Sequence, residues 1–231
     1  MRSIKAIFKK QMKDMFRNRV VLVQFAVFPI MALVMTELVA KASSDLPDTY
    51  FVTMFAAMFT GMSILTTMSA ILAEDIERKS LRCLVMAGVK PHEYLAGVGG
   101  VVMLFGLLVC IAFGVMGKYS GWGFLRFVSV LALGSIASII LGAAIGILSK
   151  NQQAATAMSM PIAMVLAFSP MIAAFNDGYS KAASILYTLQ IDAVANGLSE
   201  SSANPFLVIC ANIALFAVVF AFAYKKKGLK G

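Results

Sequence analysis

Charge is what this sequence has least of. Asp, Glu, Lys and Arg make up 13% of its 231 residues while 60% are apolar, and a chain of this size folded in water needs far more polar surface than that. A water-facing globular fold is excluded, so lipid is the solvent for most of the chain. Cysteine is equally sparse. Cys83, Cys110 and Cys210 are scattered, odd in number and without a CxxC pair, which implies neither a disulfide framework nor a zinc site. The one histidine, His92, sits in a polar connection without ligand partners nearby, which argues against a metal centre.

Enzymatic signatures are missing as well. There is no H-E-x-x-H, no G-x-S-x-G and no pair of aspartates inside an apolar run, so intramembrane hydrolysis is not expected. No G-x-x-x-x-G-K-[ST] phosphate loop occurs either, since Gly117-Lys118 is followed by Tyr119. If the protein uses ATP, another chain binds it. Ionisable residues are nearly absent from the apolar runs, where an ion-coupled carrier is expected to hold them. Glu37 is the one acid there, and it precedes Lys41 by four residues. That spacing fits an i,i+4 pair at the membrane interface, with a substrate contact as the alternative.

What is present is a series of apolar runs. A spanning helix takes about 20 mostly apolar residues, and six runs qualify: 20–40, 50–73, 95–117, 125–148, 154–175 and 205–224. The expected fold is all-α, a single transmembrane domain over residues 1–231. An even number of crossings puts both termini on one side. All but four of the 20 lysines and arginines fall on that side, the four being Lys41, Lys118, Arg126 and Lys181, and this bias makes it the cytoplasmic side. The net charge of +9 therefore reports orientation and attraction to anionic membrane lipid. A nucleic-acid site would need a folded basic face, and nucleic acid is not an expected partner.

Residues 1–19 carry Ile4, Ile7, Phe8, Met12, Met15 and Phe16 on one helical stripe, with Lys5, Lys9, Lys10, Lys13 and Arg17 turned away. Such a helix lies in the membrane plane. The alternative is a signal-peptide n-region, because Ala40-Lys41-Ala42 has small-x-small spacing, although the apolar run is longer than an h-region.

Two spans carry patterned small or polar residues. Gly134, Ser138, Gly142 and Gly146 recur every four residues in the fourth span, and Gly106, Cys110 and Gly114 do so in the third. That period lets helix backbones approach closely in lipid. Thr53, Thr60, Ser63 and Thr67 form a hydroxyl stripe in the second span among Met54, Met58, Met62 and Met68, and Thr156 and Ser159 do the same in the fifth beside Met158, Met160, Met164 and Met171. Hydroxyls bonded to their own helix carbonyls would make this packing glue. The functional reading is a deformable, weakly polar wall for an amphipathic passenger, since methionine repacks around varied shapes.

The most informative polar stretch runs from Glu74 to Met86. Asp75 and Glu77 come early, Arg78, Lys79 and Arg82 later, which matches a helix dipole, and Leu81, Leu84 and Val85 give it a short apolar face. Gly88 and Pro91 then close it off. A solvated loop needs no such face. The pattern predicts a short cytoplasmic helix over 74–87 that docks into a partner.

With its basic N-terminal helix, six-span plan, Glu77-Arg78-Lys79 to Leu81-x-x-Leu84 stretch and the run Gly88 to Gly97 leading into the third span, the chain resembles the membrane (permease) subunit of a type-2 ATP-binding-cassette (ABC) exporter over essentially its whole length. The family's Gly-Thr before the first leucine is missing, and Gly97 lacks the following lysine. The resemblance implies that the helix between spans two and three is a coupling helix seated on a separate ATPase subunit, with Asp75, Glu77, Arg78, Leu81 and Leu84 as contacts. It also implies ATP and Mg on that partner, none in this chain, a second permease chain, identical or homologous, and short external helices within 176–204. It implies export of an amphipathic peptide, drug or lipid-like molecule. An ATP-independent carrier or channel, and a non-transporting membrane scaffold or immunity protein, are the alternatives.

Overall fold

A computed structural model describes residues 2–41, 47–80, 86, 88–195 and 204–225. Helices α1 (Arg2–Arg17), α2 (Arg19–Ala40), α3 (Tyr50–Glu77), α4 (Pro91–Met116), α5 (Gly121–Leu148), α6 (Gln152–Ala173), α7 (Asp177–Ala183), α8 (Tyr187–Ala195) and α9 (Pro205–Ala223) follow one another, and no strand occurs among the described residues. Six of them, α2, α3, α4, α5, α6 and α9, are long and apolar enough to cross a membrane, in the order the apolar runs predict.

Local chemistry sets the boundaries. Asn18 separates α1 from α2 and its side chain accepts a hydrogen bond from the Val21 N–H, satisfying one of the free donors at a helix start. Pro91 occupies the first helical position of α4, where its missing N–H costs nothing. The Glu93 carboxylate accepts from the Lys90 N–H at 3.2 Å. Asn151 caps α6 through the Ala154 N–H at 2.8 Å. Lys79, with φ of 59°, turns the chain out of α3.

Burial separates the spans into layers. In α3, 83% of the apolar window is buried and in α5 72%, against 17% in each of α2 and α9. The two central helices are those with small residues on the facing side. A Cβ on Gly142 would lie 2.4 Å from the Leu65 carbonyl oxygen, and one on Gly146 would lie 2.7 Å from that of Ser69. Only glycine permits that approach. Gly134 instead faces Ile191 of α8, and Ser138 donates to the Thr60 carbonyl of α3 at 2.5 Å. That carbonyl lies in a π-helical stretch, Phe59–Ile64. A widened turn disturbs the regular ladder of backbone bonds, and a neighbouring hydroxyl supplies a partner.

Residues 177–195 form two short helices, α7 and α8, between the fifth and sixth spans, and α8 is wedged among α3, α5, α6 and α9. Tyr187, Thr188, Gln190 and Ile191 are buried, and the Tyr187 hydroxyl meets Ser138 at 2.6 Å. The break between α7 and α8 is held by side chains: the Asn212 amide of α9 donates to the Ile185 carbonyl at 2.7 Å, and the Gln190 amide donates to that of Ser184. Irregular backbone within a helix bundle persists where protein groups bond it. Residues 196–203, the rest of the expected external segment, lie outside the described residues.

Helix α1 lies against α4. Ile7, Gln11 and Met15 are buried, a Cβ on Gly97 would lie 2.7 Å from Ile7, and Phe16 meets Phe105 edge-on at 5.1 Å. The apolar stripe of α1 is thus partly covered by the third span.

Candidate functional site

At 28 residues, α3 is about 42 Å long, more than the hydrocarbon core of about 30 Å. The surplus carries its last acids beyond the apolar stretch at the Lys/Arg-rich end. There Asp75, only 7% exposed, accepts hydrogen bonds from three other parts of the chain. Ser80 donates to Oδ1 at 2.6 Å, Lys10 of α1 contacts Oδ1 at 3.3 Å, and the Tyr94 hydroxyl of α4 donates to Oδ2. Tyr94 itself is 2% exposed. One carboxylate therefore ties together the N-terminal helix, the end of the second span, the start of the 80–90 connection and the start of the third span. Burial is tolerable because a carboxylate with this many donors keeps its charge satisfied.

Two residues further on, the exposed Glu77 carboxylate accepts from the Gln152 N–H at 3.1 Å, which places a negative charge at the positive end of α6. Arg78 turns back to Glu74 at 2.7 Å with its side chain 74% exposed. The end of α3 is thus attached to α1 and α4 through Asp75, and to α6 through Glu77.

The family profile for the ABC-2 type transporter matches residues 2–189. The chain belongs to that family. Comparison with curated proteins gives no match. As an ABC-2 transporter domain with six apolar helices, the chain is a multi-pass membrane protein and a transmembrane subunit of an ABC transporter. Members of this family work with an ABC ATPase subunit in general.

Within this ABC-2 chain the residues predicted to touch a partner divide. Asp75, expected as a contact, is buried in this structure and bonded to three side chains of its own chain. Glu77 and Arg78 are exposed at the end of α3. Leu81 and Leu84 lie outside the described residues. The helix expected over 74–87 does not begin at 74, because α3 runs unbroken to Glu77 and turns at Arg78 and Lys79.

The hydroxyl stripe of the second span is enclosed in this structure. Thr53, Thr60, Ser63 and Thr67 are each no more than 1% exposed, so in this structure they face other helices of the same chain and form no open wall. Thr60 bonds the Ala57 carbonyl at 2.8 Å, Thr53 that of Tyr50 at 2.9 Å, and Ser63 reaches across to the Gln24 carbonyl of α2 at 3.3 Å. Gln24 also donates to Thr66 at 2.6 Å and lies 3.5 Å from Thr67. The sequence reasoning missed this glutamine, although a lone amide within an apolar run is a visible sign. In α6 the two hydroxyls separate. Ser159 is buried and bonded to the Thr156 carbonyl at 3.3 Å. Thr156 is exposed and bonds the Gln152 carbonyl at 3.0 Å, on a helix whose Met158, Met160, Met164 and Met171 are also exposed.

Glu37 pairs with Lys41 at 2.5 Å, both more than half exposed. On the opposite end from Asp75, Tyr119 stacks on Phe127 at 4.5 Å and donates to the Ala195 carbonyl at 3.2 Å. Burial, followed by the nearby Asp192 carboxylate, pushes the Tyr119 phenol up to about 12, so it stays a donor.

Proposed function

We propose that this chain is the membrane subunit of an ATP-driven exporter, with the Lys/Arg-rich end in the cytoplasm and the 80–90 connection seated on a separate ATPase subunit that carries ATP and Mg. The observation that carries the reading is the attachment of the end of α3 to α1, α4 and α6 through Asp75 and Glu77. A connection tied to four helices can hand a push from a soluble partner to the spans as a unit. Nucleotide acts by population shift: it moves the spans only through its different affinity for the ATPase states that each arrangement accommodates.

A second permease chain, identical or homologous, completes the transporter. The exposed, methionine-bearing face of α6 with Thr156 takes over the part first assigned to the second-span hydroxyls, because it is the weakly polar surface the chain leaves open. Methionine adapts to varied shapes, and the passenger in this reading is amphipathic: a peptide, a drug or a lipid-like molecule. Helix α1 lies along the cytoplasmic interface, its uncovered cations toward anionic lipid.

The test is reconstitution with the cognate ATPase. Leu84→Asp, and charge reversal at Arg78, are expected to abolish stimulation of ATP hydrolysis by the membrane subunit and the recovery of the ATPase with it. Unchanged stimulation and co-purification in both would overturn the docking assignment. Glu77→Lys is a weaker probe, since it also puts a cation at the start of α6.

A further inference from the structure

A cavity of about 290 Å³ opens at the Lys/Arg-rich end, where α1 turns into α2 beside the end of α3. Its charged and amide lining consists mainly of Lys10, Gln11, Asp14 and Arg17 from α1, Asn18 after it, Glu74 from α3 and Arg78 just past its end. Most of these charges are already matched. Lys10 contacts Asp75, also in the wall, at 3.3 Å, and Arg78 pairs with Glu74 at 2.7 Å. Among the described residues no ion pair engages Arg17 or Asp14. They lie three residues apart on one helix, which brings them to the same face. Among the described residues that leaves Arg17, Asp14 and the Gln11 amide in the wall outside these ion pairs, to meet a ligand.

The apolar part of the wall is Met15, Val21 and Ile71, and on the same turns of α1 and α2 Phe16 is 62% exposed, Val20 75% and Val23 60%. A ligand here would have a polar, doubly charged head and an apolar body.

The geometry points to a binding site for a zwitterionic phospholipid whose head carries a phosphate and a primary ammonium, as phosphatidylethanolamine does. Arg17 donates to the phosphate oxygens, Asp14 and the Gln11 carbonyl accept from the ammonium, and the acyl chains run along Val20 and Val23. The ammonium hydrogens make the choice of lipid. Phosphatidylcholine offers its quaternary nitrogen without an N–H, and phosphatidylglycerol gives Asp14 no positive partner. The site depends on the chain being embedded in a membrane and not on export or its direction, so it stands or falls separately from the proposed function.

The full-length chain is mixed with vesicles of equal parts phosphatidylethanolamine, phosphatidylcholine and phosphatidylglycerol with matched acyl chains. It is then extracted in mild detergent and its retained lipid counted by native mass spectrometry. Phosphatidylethanolamine is expected to exceed each of the others about tenfold, the equivalent of one charge-assisted hydrogen bond. Asp14→Asn, isosteric and at an exposed position, should erase the preference over phosphatidylcholine. Arg17→Ala should reduce all three lipids, and Arg17→Lys should restore them. Lys9→Ala removes an equal charge from α1 outside the cavity and should change nothing. Equal retention of the three lipids, or a loss in Lys9→Ala matching that in Arg17→Ala, overturns the proposal. So does competition by free phosphorylethanolamine as strong as by intact lipid, which would make the ligand a soluble one.

Discussion

Removing the Asp75 carboxylate should loosen the protein far more than removing any surface charge. In Asp75→Ala, the Tyr94 hydroxyl, 2% exposed, loses its acceptor, and an unsatisfied buried hydroxyl costs about 1–3 kcal/mol. The bond from Ser80 to a charged acceptor adds about 1.5 kcal/mol. Lys10, whose side chain is 53% exposed, adds about 0.5 kcal/mol because solvent screens it. The loss comes to about 4 kcal/mol, a shift of roughly 10 °C in melting temperature for a chain of this size. Tyr94→Phe keeps the contacts from Ser80 and Lys10 and should cost about 1 kcal/mol. Because Asp75 and Tyr94 bond each other directly, the double variant should be more stable than the sum of the single losses predicts, by about 1–2 kcal/mol. Thermal unfolding of the four proteins in one detergent measures this cycle. A coupling near zero, or an Asp75→Ala melting point within about 2 °C of the parent, would refute the idea that this carboxylate holds the junction.

Other outcomes follow from the same contacts. Gly142→Ala places a methyl 2.4 Å from a backbone oxygen, so α3 and α5 must separate, at about 2–3 kcal/mol; size-exclusion chromatography after heating should show it, and an unaffected variant would mean the helices do not meet there. Gly97→Leu should displace α1 from the third span, read as faster proteolysis within residues 2–17 with the spans intact. Thr67→Leu, in a site 1% exposed, should destabilise by about 1–3 kcal/mol through overpacking. A Thr67→Leu protein of parental stability with blocked transport would return that residue to the passenger's path.

The count and order of the membrane helices were legible in the sequence because each depends on local quantities: the length of an apolar run and the charges that flank it. The starts of α2, α4 and α6 are also set locally, by Asn18, Pro91 and Asn151 within one turn of themselves, although the apolar runs alone put them at 20, 95 and 154. The small-residue stripe of α5 announced a close approach, but not its partner. Two features were ambiguous in the sequence for one physical reason. A stripe of hydroxyls looks the same whether it lines a path or bonds a neighbouring helix, and an acid at a span's end looks the same whether it meets a partner or a tyrosine 19 residues away. Only the packing of α2 and α5 around α3 decided the first. The meeting of Lys10, Ser80 and Tyr94 at Asp75 decided the second. The burial of α8 was unreadable in advance because its supporting groups, Ser138 and Asn212, come from other helices. What the sequence by itself determined was the solvent and the number of crossings, which follow from composition along the chain. Which residues are enclosed, and which are left to face lipid or a partner, depended on contacts between segments far apart in sequence, and these exist only once the helices assemble.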